Sequence, residues 1–313
     1  MRRPFERVPF ADLPEHPKRP HRYGETEARE VTTRSDRLGT LRIHVRESGS
    51  GPPLLLVHGL MTTSYSWRYL IDPLRQYYRL VIPDLPGCGR SEAPPTGTYG
   101  AALLATWVGD LQRALAIEGC LAVGNSMGGY LCMRHAIASP GAFARLVNIH
   151  SPAFPDAKLE LLSALLKIPG THALAAWLAR RDPHRWAHRN VHYFDEELKS
   201  LEEARAYGDP LATLEGARAF ACYLAETMST ADLHAFTREL GRRFSEGRAF
   251  PTPLMLLYAD RDPLVSPRNG ERLHALLPDA ELAWIEQSSH FAHVDTPEKV
   301  VARVLPFLLG PPC

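Results

Sequence analysis

The stretch Ala122-Val123-Gly124-Asn125-Ser126-Met127-Gly128-Gly129-Tyr130 decides how the chain is read. The apolar run from Cys120 to Val123 reads as a buried strand, and a helical pattern follows from Met127 to about Ser139. Ser126 stands between them, with a glycine two residues before it and another two after. In that setting G-x-S-x-G is a strand-to-helix turn that presents a serine as a nucleophile. The flanks are small because so tight a turn leaves no room for a Cβ. The helix that starts there aims free N–H groups and the positive end of its dipole at the same point, which suits an oxyanion.

The segments around the elbow predict the sheet that carries it. Leu41, Ile43 and Val45 alternate with polar residues, as in a strand with one wet face, after a turn at Leu38-Gly39-Thr40. Leu54 to Val57 is apolar throughout, as in a parallel strand covered on both faces. It runs into His58-Gly59-Leu60-Met61. The glycine lets the backbone turn there and makes the Leu60 N–H the first candidate oxyanion donor, with His58 expected to brace the loop. A helical pattern spans Ser64 to Tyr77, and Leu80-Val81-Ile82 is the next buried strand. Leu103, Leu104, Trp107, Val108, Leu111 and Leu115 then mark an amphipathic helix. Leu146 to Ile149 is a further strand beyond the elbow helix. This alternation implies a parallel sheet wound by helices.

Strand patterns stop after Pro152 and resume at Pro253. The interval is helical: Leu159, Leu162, Leu165 and Leu166 are expected on one face, Asp182-Pro183 and Asp209-Pro210 read as helix starts, and Ser229 to Asp232 as a capping box. We expect a helical cap over the active edge of the sheet. His184, His188 and His192 fall at metal-like spacing there, but Arg185 and Arg189 oppose a cation, and no metal is expected. Leu254 to Tyr258 restores the sheet and leads into Ala259-Asp260-Arg261-Asp262-Pro263, where a carboxylate reaches the rim that carries Ser126. The last strand, Glu281 to Ile285, exits through Gln287-Ser288-Ser289-His290-Phe291-Ala292-His293.

Composition narrows the partners. Of 313 residues, 45% are hydrophobic and 23% charged, enough for a large core. The net charge of +1 offers no global field for nucleic acid or an anionic membrane, so a small-molecule substrate is expected, with no nucleic-acid or membrane partner. No apolar run approaches a membrane span, and no secretory signal is visible. Five scattered cysteines, Cys88, Cys120, Cys132, Cys222 and Cys313, fit reduced thiols in a cytoplasmic protein. Residues 1–28 carry Pro4, Pro9, Pro14, Pro17 and Pro20, which points to an extended or partly disordered arm. The expected division is arm 1–28, core 29–152, cap 153–249 and core 250–313.

Serine, acid and histidine follow one another in the chain order of α/β hydrolases. The chain resembles the capped, serine-nucleophile members of that superfamily, which also includes C–C bond hydrolases, small-ester hydrolases, epoxide hydrolases and haloalkane dehalogenases. His58-Gly59, Asp84-Leu85-Pro86-Gly87-Cys88-Gly89-Arg90-Ser91, Gly124-Asn125-Ser126-Met127-Gly128-Gly129, Asp260-Arg261-Asp262-Pro263 and Ser289-His290-Phe291 carry the resemblance, over roughly 30–152 and 250–310. It implies an α/β-hydrolase fold, a mostly parallel eight-stranded sheet flanked by helices, with the cap inserted after the sixth strand. It also implies Ser126 as nucleophile, His290 as base rather than His293, and Asp262 rather than Asp260 as the acid. Leu60 and Met127 would form the oxyanion hole, and no cofactor is needed. A serine at the elbow points to acyl transfer on an ester, thioester or lactone, where the epoxide and haloalkane enzymes use aspartate. C–C hydrolysis of ring-cleavage products is the alternative; Phe291 stands where those enzymes carry Trp, and Arg205 lies in a helical stretch comparable to that of their cap arginine but is not matched to it in register. A catalytically silent receptor of the same fold would be expected to have a damaged triad, and here every part is present.

Overall fold

The computed structural model describes residues 3–155 and 157–310; Cys313 lies outside them. The eight strands are β1 (Glu27–Ser35), β2 (Gly39–Ser48), β3 (Pro53–Val57), β4 (Arg79–Pro83), β5 (Cys120–Asn125), β6 (Phe143–Ile149), β7 (Leu254–Ala259) and β8 (Glu281–Ile285). They form one sheet in the order β1-β2-β4-β3-β5-β6-β7-β8. β2 pairs antiparallel with both β1 and β4, and every other pairing is parallel. The helices α1 (Ile71–Leu74), α2 (Ala101–Leu115) and α3 (Met127–Ala138) connect the first strands. Between β6 and β7 lie α4 (Ala157–Leu166), α5 (Thr171–Arg181), α6 (Pro183–Asn190), α7 (Leu201–Ala212), α8 (Leu214–Cys222) and α9 (Thr230–Ser245). The helices α10 (Arg268–Leu276), α11 (Ala292–Asp295) and α12 (Pro297–Leu309) complete the chain.

Alternate residues of each strand feed opposite faces of the sheet. Leu55, Ala122, Leu146 and Leu256 pack with Trp107 and Tyr130 from α2 and α3. Leu54, Leu56, Val123 and Met255 pack with Trp67, Leu74, Val300 and Val304 on the other side. Register then aligns the strand ends: Val57 lies opposite Gly124, Asn125 opposite Ile149, Ile149 opposite Leu257, and Ala259 opposite Ile285. The loops that follow these residues therefore share one rim.

Several local expectations are corrected. The helix expected over Ser64 to Tyr77 is broken into a 3-10 turn, Ser64–Trp67, and the four-residue α1. Pro73 has no N–H to give back to the preceding turn, and its ring excludes a carbonyl there. Asp209-Pro210 does not start a helix but lies in the last turn of α7; Thr213 caps α8 by accepting from the Gly216 N–H at 2.9 Å. Ser229 makes no side-chain cap, and the reciprocal bond of the expected box is lost as well, because the Asp232 carboxylate is drawn to Tyr130 and Arg134 of α3. The three cap histidines diverge. His184 bonds Asp209, the His188 Nε2–H donates to the Val8 carbonyl, and His192 lies beyond the end of α6. Leu165 points outward, away from the buried Leu166.

The N-terminal arm is a strap across the cap. The Phe5 N–H donates to the Phe194 carbonyl, while Leu201 and Glu202 at the start of α7 donate to the Pro14 and Glu15 carbonyls. The cap is also tied to the core by a buried charge network. The Arg68 guanidinium pairs with Glu203, lies over the rings of Tyr65 and Tyr69, and donates to the Tyr207 hydroxyl, while the Tyr193 hydroxyl donates to Glu203. Truncating Glu203 strands a buried cation. Glu203→Ala is therefore expected to cost about 3–5 kcal/mol, read as a lower urea midpoint.

Burial holds His58, His135, His150 and His293 neutral, with His135 lowered to about 4. Each binds its proton more weakly folded than unfolded, so acid favours the unfolded chain. Stability is expected to fall as pH drops below about 6.5, the unfolded histidine value, with the His135 share lost down through about 4. Urea midpoints across that range check this; a flat profile would contradict it.

Candidate active site

The turn after β5 is as tight as the spacing required. Ser126 has φ 52° and ψ −121°, a conformation that L-residues avoid. A Cβ on Gly124 would lie 2.5 Å from the Gly129 backbone, and one on Gly128 would lie 2.3 Å from the Val57 carbonyl oxygen. Three hydrogen bonds hold the strained residue. Its N–H donates to the Ile149 carbonyl at 2.7 Å, and its own carbonyl accepts from the Tyr130 N–H at 3.0 Å and the Ser151 hydroxyl at 2.8 Å. Asn125 reaches the histidine loop, donating from Nδ2 to the His290 carbonyl at 3.2 Å.

The loop after β3 packs directly on the serine, since a Cβ on Gly59 would fall 3.1 Å from that of Ser126. His58 braces the loop as a neutral ring. Its Nδ1 donates to the Gly59 carbonyl at 2.8 Å, and its Nε2 accepts from the Leu85 N–H at 2.9 Å. Among the described residues neither the Leu60 N–H nor the Met127 N–H has an acceptor.

The expected acid and base meet. His290 Nδ1 lies 2.7 Å from Asp262 Oδ2, and Asp262 Oδ1 accepts from the Leu264 and Val265 N–H groups at 2.7 and 2.8 Å. Burial opposes the Asp262 charge, but His290 and His150 together hold its carboxyl well below the usual range. Asp260 is exposed and faces Arg261 at 3.5 Å. His293 stacks on Trp67 at 4.6 Å, with neither ring nitrogen partnered.

Sequence reasoning missed His150, which follows β6 on the same rim. It is fully buried, has φ 57°, and places Nδ1 3.1 Å from Asp262 Oδ2. The Ala259 N–H also approaches that nitrogen, at 3.4 Å. A charge-assisted bond at 3.1 Å outweighs that longer neutral one, so we assign the Nδ1–H tautomer donating to Asp262. Nε2 is then an acceptor with no partner. The histidine after Ile149 was visible in the sequence, but nothing local linked it to an aspartate more than a hundred residues on. Among the described residues, His150, Asp262 and His290 are the one group with metal-ligating atoms within 4.8 Å of one another; the Asp262 carboxylate is already hydrogen-bonded to both rings.

A model of the α/β hydrolase fold matches residues 52–297. The chain belongs to that family. Its relatives include the uncharacterized hydrolase YugF of Bacillus subtilis, 26% identical over 256 residues that cover 82% of this chain and 89% of the relative. Haloalkane dehalogenase 2 of Mycobacterium tuberculosis is 26% identical over 273 residues, covering 84% and 90%. A crystal structure of a Nostoc sp PCC 7120 protein described as an α/β hydrolase superposes with TM-score 0.76 at 19% identity, covering 93% of this chain and 100% of that one. At its rim this hydrolase carries a serine elbow, an aspartate shared by two imidazoles and, among the described residues, the unpaired N–H groups of Leu60 and Met127.

His150 and His290 share one carboxylate oxygen, so His150 helps to fix the Asp262 side chain. His150→Leu removes that donor and is expected to lower kcat/KM roughly tenfold. His150→Asn keeps a donor near the Nδ1 position and tolerates positive φ, so it should restore most of the rate. Equal kcat/KM in all three proteins would contradict the shared-carboxylate assignment.

Proposed function

We propose that this enzyme is a serine hydrolase that cleaves a small to medium, largely apolar carboxylic ester, thioester or lactone through an acyl-enzyme on Ser126. The observation that carries the reading is the serine itself, held on a strained turn at the rim that also carries the bonded His290–Asp262 pair. His290 takes the Ser126 Oγ proton as Oγ attacks the acyl carbonyl. Asp262 orients the ring and stabilises its cation. The N–H groups of Leu60 and Met127 receive the oxyanion. Collapse expels the alcohol, which takes the proton from His290, and a water activated by the same ring then releases the acid. These steps balance without a cofactor.

The walls beside Leu60 support an apolar acyl group. Leu60, Met61, Leu211, Phe220 and Tyr223 surround a tight cavity of 20 Å³. It shares Thr63, Gly87, Gly89, Pro210 and Gly216 with an outer cleft of 460 Å³ at the cap–core seam. Ser126 itself lines neither space. The C–C reading is weaker, because Arg205, on the wall of the outer cleft, is exposed and already bonded to Glu15 of the arm. The silent-receptor reading is disfavoured by two free N–H donors and an intact acid–base pair.

A p-nitrophenyl ester series from acetate to decanoate, with wild type and Ser126→Ala, tests this. Turnover is expected in the wild type and a loss of at least about a thousandfold in Ser126→Ala. Labelling of Ser126 by a phosphonate without turnover of any ester would transfer the assignment to C–C substrates. No labelling would sink the serine mechanism.

A further inference from the structure

The first hairpin of the cap turns its large apolar side chains outward. Helix α5 packs Ala176 against Ala217 and Ala221, and Ala179 against Leu211 and Phe220. Its larger residues, Leu174, Trp177 and Leu178, face solvent and are 54%, 55% and 42% exposed. Helix α4 exposes Leu161 and Leu165, one turn apart, and Ile168 is exposed in the link to α5. Soluble surfaces carry such residues singly; a cluster marks a surface that something covers.

The charges beside this cluster indicate what covers it. Lys158, Lys167 and Arg181 have no carboxylate partner among the described residues. Two acids of the same segment face other groups, Glu160 facing His234 at 3.8 Å and Asp182 facing Arg185 at 3.5 Å. The Arg181 guanidinium stands 5.6 Å from the centre of the Trp177 ring, joining the cationic and apolar parts of the patch. Leucines and a tryptophan beside unpaired cations match acyl chains beneath anionic headgroups. Helices of 10 and 11 residues, bent by 107°, are each too short to span a bilayer, which takes about 20 residues. They suit lying in its surface. A groove of 670 Å³ opens at the start of α5, lined by His172, Ala173, Pro95, Tyr99, Leu214 and Cys222. It runs along α8, the helix that also supplies Phe220 to the cavity beside Leu60.

We propose that the α4–α5 hairpin is a docking surface for an anionic phospholipid bilayer: Leu161, Leu165, Ile168, Leu174, Trp177 and Leu178 enter the interface, and Lys158, Lys167 and Arg181 meet the phosphates. A net charge of +1 hides this local excess of unpaired cations. Docking stands apart from the ester reading, because it is measured as binding.

Flotation of the full chain with phosphatidylglycerol–phosphatidylcholine vesicles and with pure phosphatidylcholine vesicles tests it. Binding is expected to the anionic vesicles and to be roughly tenfold weaker to the neutral ones or in high salt. Leu174→Gln with Trp177→Gln, and separately Lys167→Glu with Arg181→Glu, should each weaken it roughly tenfold or more. All four positions are exposed, and circular dichroism checks that the variants fold. No flotation with either vesicle, or flotation unchanged in both variants, would overturn the proposal. So would a dimer that the Leu174→Gln, Trp177→Gln variant converts to monomer without any vesicle binding, since a second copy would then be the cover. Because flotation needs no turnover, an inactive protein that floats leaves docking intact, and an active esterase that does not float refutes docking alone.

Discussion

The backbone of Ser126 is the constraint on which the rest depends. A serine at φ 52° costs of order 1–3 kcal/mol and persists only where its surroundings leave no alternative. Those surroundings come from distant parts of the chain. The Ile149 carbonyl ends β6, the Ser151 hydroxyl lies just beyond it, and the Val57 carbonyl that excludes a side chain at Gly128 ends β3. The strained turn thus requires β3, β5 and β6 to be parallel, adjacent and in register. The same register brings the ends of β7 and β8 to that rim, and with them Asp262 and His290.

Electrostatics at the rim follow from burial. Asp262 stays charged in a dry setting because four hydrogen bonds converge on it, two from backbone N–H groups and one from each of two imidazoles. Asp295 nearby shows what happens without an imidazole partner. It accepts from the Phe194 and Ser289 N–H groups at 2.9 and 2.8 Å, yet burial still pushes it up to about 7. One carboxylate binds the His290 ring; the other fastens the histidine loop to the cap.

The cap is held by polar means on one side and left apolar on the other. Arg68, Glu203, Tyr193 and Tyr207 knit α7 to the core, and the arm runs across the start of the same helix. Among the described residues the hairpin of α4 and α5 makes no hydrogen bond to the arm, and its outer face exposes Leu161, Leu165, Leu174, Trp177 and Leu178.

Much of this was legible in the chain itself. Two-residue and 3.6-residue periodicities located most of the sheet and the main helices, and Gly124, Ser126 and Gly128 announced the elbow because its steric demands are local. The pairing of Asp262 with His290 followed from chain order together with the resemblance. Local patterns misled where a distant partner competed, as when Tyr130 and Arg134 drew Asp232 from its capping role. Periodicity likewise separates the alanine face of α5 from its leucine face without saying which turns inward; α8 decides that, by offering Ala217 and Ala221 too close for anything larger. The link from His150 to Asp262 has no sequence signature at all. It exists because β6 and β7 are neighbours in the sheet, and adjacency between strands a hundred residues apart is a property of packing.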